Sequence, residues 1–228
     1  MPLTMAAGSR PQPSTAFEEA LWASDCRFVA GVDEVGRGPL AGPVYAGAVI
    51  LDPDARPGWL SELRDSKELL PNDRQRLSQA VRAEALAWGL GWSTVVEIDA
   101  YGISLANKMA MIRAIDALRL RPHYVLIDGP LTVDHPLPQR AIVDGDAICT
   151  TIAAASIVAK VARDEVMRHL DHLYPNYGFA AHKGYATPDH LARIDRYGLC
   201  SQHRRSWAAL QRRAALRLEA LESAEVAG

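Results

Sequence analysis

Hydrophobic and polar positions along this 228-residue chain follow two periods. Residues 28–32, 44–51, 88–97, 123–127 and 141–143 are short stretches dense in β-branched, aliphatic and aromatic side chains, the signature of strands. The first two are joined through a glycine-rich turn and predict a hairpin. Elsewhere apolar positions recur at helical spacing, which predicts helices over 17–23, 71–87, 99–118 and 150–173. Pro71 suits a first helical turn. Met109, Ile112, Ile115 and Leu118 stand at core spacing in the third helix. Strands interleaved with helices place the chain in the α/β class, with a mixed sheet flanked by helices.

Candidate chemistry sits where two of these strands end. Gly31-Val32-Asp33-Glu34-Val35-Gly36-Arg37-Gly38-Pro39 sets adjacent carboxylates at the end of an apolar run and follows them with a glycine-flanked arginine. Neighbouring strand side chains point to opposite faces, so Asp33 and Glu34 serve one point only if the strand twists or ends there. Gly36 and Gly38 predict that ending and let a sugar-phosphate chain come close. Asp128 closes the fourth strand, and in open α/β sheets ligands collect at such ends, although Asp-Gly-Pro is also an ordinary turn. Asp146 stands at the entrance to the long helix, where an Asp also serves as a plain N-cap. Converged, the four acids repel unless cations neutralise them, and oxygen-only ligands choose Mg²⁺ or Mn²⁺. Two such ions about 4 Å apart suit the in-line hydrolysis of a phosphodiester.

Composition narrows the setting. A hydrophobic fraction of 49% with 23% charged residues suits a globular protein with a real core. No run of about 18 apolar residues points to a membrane span. Residues 1–16 hold three prolines and no signal-peptide core, which predicts a disordered leader. Cys26, Cys149 and Cys200 are odd in number and lack CxxC spacing, so neither a disulfide framework nor a zinc site is indicated. A reducing cytoplasm is the simplest location for them. The net charge of −2 argues against nonspecific coating of nucleic acid. Its distribution is uneven, with 11 Lys and Arg against 5 Asp and Glu from 160 to 217, and 14 against 22 elsewhere. A carboxylate-rich centre beside a basic arm fits a polyanion, while a solvated Arg-rich helix face accounts equally well for Arg212, Arg213 and Arg217.

On the helix over 150–173, Ser156, Lys160, Arg163, Asp164 and Asp171 fall on one arc, and Lys160 with Asp164 also fits a plain surface pair. Downstream, His182-Lys183-Gly184-Tyr185 places a cation and an aromatic ring either side of glycine, a combination suited to stacking with phosphate contact.

Seven ordered blocks now carry a resemblance. Asp33-Glu34-Val35-Gly36-Arg37-Gly38, Asp65-Ser66-Lys67, Leu126-Ile127-Asp128-Gly129, Gly145-Asp146, the run from Ala153 to Asp164, His182-Lys183-Gly184-Tyr185 and His203-Arg204-Arg205-Ser206 together resemble ribonuclease HII, the bacterial type 2 ribonuclease H. The match runs in order over about residues 28–207. It implies an RNase H-like fold with a C-terminal helical extension: a catalytic core over 17–172, a substrate-binding extension over 173–217 and a frayed tail over 218–228.

The resemblance also implies a metal-dependent endonuclease that cuts the RNA strand of RNA/DNA hybrids. It implies incision on the 5′ side of single ribonucleotides in duplex DNA, leaving 3′-hydroxyl and 5′-phosphate ends. By position, Asp33, Glu34, Asp128 and Asp146 take the four metal-binding roles, holding two Mn²⁺ or Mg²⁺ ions. Gly36, Arg37 and Gly38 match the segment where backbone groups, with Tyr185, meet the 2′-hydroxyl that separates RNA from DNA. Further substrate contacts are implied for Lys67, Ser156, Lys160, Lys183, Arg204 and Arg205, together with a monomeric state and no membrane association. Within the same superfamily, a type 3 ribonuclease H and a junction resolvase are the competing readings. Outside it stands a module that binds hybrids without cutting, against which four intact acids argue.

Overall fold

The computed structural model describes residues 12–64, 66 and 68–216. The first eleven residues of the expected leader, Lys67 with its neighbour Asp65, and the expected tail lie outside the described residues.

Five strands, β1 (Val29–Val35), β2 (Val44–Ile50), β3 (Ala87–Ser93), β4 (Tyr124–Asp128) and β5 (Gln139–Ile142), form one mixed sheet in the order β3-β2-β1-β4-β5. β1 and β4 are parallel, with Val29 opposite Tyr124 and Val32 opposite Ile127, and β5 lies parallel to β4 with Ile142 opposite Asp128. Val29, Ala30, Val32, Val125, Leu126 and Ile127 are buried, as residues of central parallel strands are. Continued by one residue, the β1 register brings Asp33 level with Asp128.

The helices are α1 (Ala16–Trp22), α2 (Pro71–Glu84), α3 (Val95–Tyr101), α4 (Ile103–Asp116), α5 (Gly145–Ile148), α6 (Thr150–Leu173), α7 (Phe179–His182) and α8 (Pro188–Tyr197). Residues 208–216 are helical as well. Among the described residues no helix is long and apolar enough to cross a membrane. The chain divides into two compact units, one of Met1–Asp33, Ala48–Gly89 and Leu118–Val158, the other of Glu34–Gly47, Leu90–Ala117 and Ala159–Gly228.

In the first unit Phe17, Leu21 and Trp22 of α1 pack on Val29, Leu126, Ile142, Cys149 and Ile152. Ser14 exchanges backbone hydrogen bonds with Ile148 and Thr150 at 3.1 and 3.2 Å. Fully buried Glu18 accepts the Thr151 N–H at 2.7 Å. Residues 12–16, expected to be disordered, are therefore tied to the fold by the backbone pairing of Ser14, just ahead of the apolar packing of α1. Gly31 lies against the start of α6, where an added Cβ would come within 2.2 Å of the Thr151 carbonyl carbon.

In the second unit α4 meets β3 at Gly91, where a Cβ would stand 2.2 Å from the Ala110 carbonyl oxygen. So close an approach selects small side chains. The buried face of α4 accordingly carries Ala106, Ala110, Met111, Ala114 and Ile115, not the Met109 and Ile112 face that periodicity predicts. The expected third strand stops at Ser93, because Thr94 Oγ1 accepts the Glu97 N–H at 3.2 Å and Glu97 Oε2 accepts the Thr94 N–H at 2.8 Å. This reciprocal capping box starts α3. The single helix expected over 99–118 is two, broken at Gly102. Residues 150–159 of α6 are buried on every face, and Arg163 is fully buried, so the expected polar arc shrinks to half-buried Lys160, Asp164 and Asp171.

Candidate active site

Parallel pairing of β1 and β4 carries both C-terminal ends to one edge of the sheet, where β4 ends on Asp128 and β1 carries Asp33 and Glu34 in its last three residues. β1 continues to Val35, three residues beyond the expected stop at Val32, so Asp33 and Glu34 lie inside the strand. Asp33, Glu34 and Asp128 nevertheless each place a carboxylate oxygen within 4.8 Å of the others. Asp33 is 4% exposed, and Glu34 and Asp128 are half-buried.

Asp146 is not one of that mutually close set, but it is tied to it through the chain. It is the second residue of the short helix α5, which ends before Cys149 and is distinct from the long helix α6. The preceding residue, Gly145, donates its N–H to Asp128 Oδ1 at 2.7 Å. A Cβ on Gly145 would stand 2.7 Å from Ile152 Cδ1 and 3.1 Å from that same oxygen, so a larger residue would push α5 away from Asp128.

Three carboxylates this close repel one another, and partial burial strengthens the repulsion by excluding water. Their donor set is oxygen alone, without His or Cys, which suits a hard divalent ion such as Mg²⁺ or Mn²⁺. Arg37 Nη1 reaches Glu34 Oε1 at 3.5 Å, and its side chain is 52% exposed, so it offsets little of that charge.

Two buried arginines shape the loop that follows β1. Gly36 has φ +93°, and a Cβ there would come within 2.1 Å of Arg163 Nε. Arg163 donates from Nε to the Pro43 carbonyl at 3.0 Å and from Nη2 to those of Ala41 and Lys183 at 3.3 and 3.1 Å. Arg204 donates to the carbonyls of Gly36 at 2.6 Å, Arg37 at 2.8 Å and Gly42 at 2.8 and 3.0 Å. Burial drives both guanidiniums below their usual pKa, Arg204 to about 9. Arg204, expected near the substrate backbone, is enclosed in protein with its donors spent on loop carbonyls, and so it holds the loop's shape. Ser156 is likewise buried, with its Oγ 3.1 Å from Ser66 Oγ.

The remaining expected contacts stand nearer the surface. Gly38 is exposed, and the ring of Tyr185, 45% exposed, lies 3.8 Å from where a Gly38 Cβ would be. Lys160 pairs with Asp164 at 2.5 Å. Lys183 Nζ donates to the Ala180 carbonyl at 2.5 Å, and burial lowers its pKa. Arg205 is exposed, and its N–H is fixed by Asp99 Oδ2 at 3.0 Å while Asp99 Oδ1 accepts the Ser206 N–H at 2.9 Å. Periodicity gives Asp99 and Arg163 no special standing, since both read as helix polar positions. Only the fold brings their distant partners to them.

A family profile described as Ribonuclease HII matches residues 30–210. The chain belongs to the ribonuclease HII family. Ribonuclease HII of Geobacillus thermodenitrificans is 48% identical over 206 residues, covering 90% of this chain and 78% of that protein. Ribonuclease HII of Laribacter hongkongensis is 52% identical, covering 86% of this chain and 98% of its own length. The crystal structure of ribonuclease H2 from Pyrococcus horikoshii superposes with a TM-score of 0.71 at 25% identity, over 83% of this chain and 98% of that one. Membership in ribonuclease HII makes this a type 2 ribonuclease H, a metal-dependent endonuclease acting on RNA/DNA hybrids. Among the described residues, Asp33, Glu34 and Asp128 form a carboxylate group able to hold such a metal ion.

Proposed function

We propose that this ribonuclease HII also incises duplex DNA on the 5′ side of a single embedded ribonucleotide, leaving 3′-hydroxyl and 5′-phosphate ends. The observation that carries the reading is the juxtaposition, in one strand and its following loop, of clustered carboxylates with the arginine-braced Gly36-Arg37-Gly38 turn. Cleavage chemistry and ribose recognition are then neighbours in sequence.

In this reading Asp33, Glu34, Asp128 and Asp146 hold two Mg²⁺ or Mn²⁺ ions. When bound, the ions supply a water of lowered pKa and neutralise charge on the attacking and leaving oxygens. The protein's own part is orientation. The Gly145 N–H fixes one oxygen of Asp128 before any ligand arrives. Arg163 and Arg204 engage the carbonyls around the loop, which keeps its backbone in one conformation for reading a 2′-hydroxyl. Tyr185, exposed beside Gly38, offers a ring face to the neighbouring sugar. Lys160, Lys183 and Arg205 stand as backbone-phosphate contacts, and Lys67 is kept among them from sequence alone. We further propose that the enzyme acts as a monomer in a reducing cytoplasm, where Cys26, Cys149 and Cys200 stay as thiols.

The test is a panel of end-labelled substrates: a duplex with one ribonucleotide, a full RNA/DNA hybrid, plain duplex DNA and a four-way junction. The single-ribonucleotide duplex should be cut once, 5′ of the ribose, giving a product that a DNA polymerase extends. Cutting of the hybrid alone would leave only the coarser activity, and junction cleavage would favour a resolvase.

A further inference from the structure

Behind Tyr185 lies a run of three buried histidines with no part in the acidic site. His190 is 0%, His203 1% and His182 8% exposed. Their ring nitrogens are all engaged. The Cys200 N–H donates to His203 Nδ1 at 3.0 Å, which makes that nitrogen an acceptor and puts the His203 proton on Nε2. His203 Nε2 lies 3.2 Å from His190 Nε2, which must then accept, so the His190 proton sits on Nδ1. His190 Nδ1 lies 2.8 Å from the Tyr185 carbonyl oxygen and donates to it. His182 is fixed in the same way: its Nδ1 accepts the Gly184 N–H at 3.2 Å and its Nε2 donates to the Tyr177 carbonyl at 2.7 Å.

We propose that His190 and His203 are positioning residues for ribonucleotide selection, a chain of two neutral imidazoles that runs from the Cys200 N–H to the Tyr185 carbonyl and sets where the Tyr185 ring stands beside Gly38. The proposal rests on the ribose-reading role given above to Tyr185 and Gly38. The neighbouring turn is held by the same segment: His203 bridges Ala41, Leu40 donates its N–H to the Gly184 carbonyl at 2.8 Å, and the Arg204 N–H donates to the Leu40 carbonyl at 2.9 Å. A displaced His203 therefore moves both sides of the proposed reading surface.

The chain works only uncharged. A second proton on His190 Nε2 would face the His203 N–H, and one on His203 Nδ1 would face the Cys200 N–H. The packed surroundings favour neutrality: His182 stacks on His190 with centroids 4.1 Å apart, and Phe179 and Tyr177 pack edge-on. The charged groups in range are Asp189 and Arg193 of α8, Asp171 of α6 and Arg205, which oppose one another in sign, while the Cys200 thiol is held protonated by burial. Burial lowers both His190 and His203 to about 4.

Two measurements on the full chain test this. Long-range ¹⁵N NMR of the imidazoles should show Nδ1–H for His190 and Nε2–H for His203, both neutral at pH 6, and the opposite tautomers or charged rings would overturn the proposal. His190→Leu and His190→Asn are then assayed on the single-ribonucleotide duplex, with folding checked by circular dichroism. Asn keeps an N–H for the Tyr185 carbonyl and should retain most activity, whereas Leu should lose roughly ten- to a hundredfold, chiefly in kcat. In a Tyr185→Ala background the Leu substitution should add no further loss. An equal loss in that background, or no loss in the folded Leu variant, would overturn the proposal. A wild-type protein that leaves this duplex uncut would instead refute the incision reading, and the NMR arm would still decide the imidazole chain.

Discussion

Asp128 Oδ1 accepts the Gly145 N–H at 2.7 Å and so joins the end of β4 to the start of α5 across 17 residues of chain. The bond presets the carboxylate rotamer and places Asp146 one residue from that contact. Asp128→Asn keeps an oxygen for the Gly145 N–H and removes only the charge. Cleavage in Mg²⁺ should fall roughly a hundredfold or more. The metal-free protein should melt no lower than the wild type, because relief of repulsion is worth about 1 kcal/mol. Unchanged cleavage would remove Asp128 from the metal set.

Two glycines should respond oppositely to alanine. At Gly31 the added Cβ meets backbone of α6 at 2.2 Å, and Gly31→Ala should destabilise the protein by about 3 kcal/mol, read as a lowered thermal midpoint. At Gly38 the nearest atom is Tyr185 Cε1 at 3.8 Å, so Gly38→Ala should leave the midpoint within about 0.5 kcal/mol of wild type. Its cost should appear as a raised KM for the single-ribonucleotide duplex, and a wild-type KM would place the ribose elsewhere.

Stability should fall on mild acidification. His190 and His203 are lowered to about 4 from 6.5, so between those values the unfolded chain binds more protons than the native one. Their contribution is complete above pH 6.5, declines as pH drops and is lost as pH falls through about 4. Urea denaturation from pH 7 to 4.5 should show this slope, and His190→Asn should flatten it.

Arg205 is exposed on a backbone anchored by Asp99, which suits a single phosphate contact. Arg205→Ala should weaken duplex binding for every sequence alike and reduce the slope of log affinity against log salt by about 0.9. Asp99→Ala should weaken binding with the salt slope unchanged, since it releases the anchor and removes no phosphate contact. A fluorescence anisotropy titration at several salt concentrations reads both.

The strands at 28–32, 44–51 and 123–127, the long helix from 150 and the acid that ends β4 were legible in sequence, because each depends on neighbours a few residues away, whereas β1 runs past Asp33 and Glu34 to Val35. The Thr94 to Glu97 capping box was equally local, yet β-branched Val95 and Val96 mask it as strand. What only tertiary structure decided is where long-range neighbours meet: that Ala106, Ala110 and Ala114, rather than Met109 and Ile112, face the core beside Gly91, that residues 12–16 belong to the fold, and that Arg163 and Arg204 turn inward to backbone carbonyls. An arginine in a sequence reads as a surface cation because burying its charge is costly. Here carbonyls from loop residues 36–43, more than a hundred positions upstream in the chain, supply the hydrogen bonds that offset that cost, and no local pattern announces them.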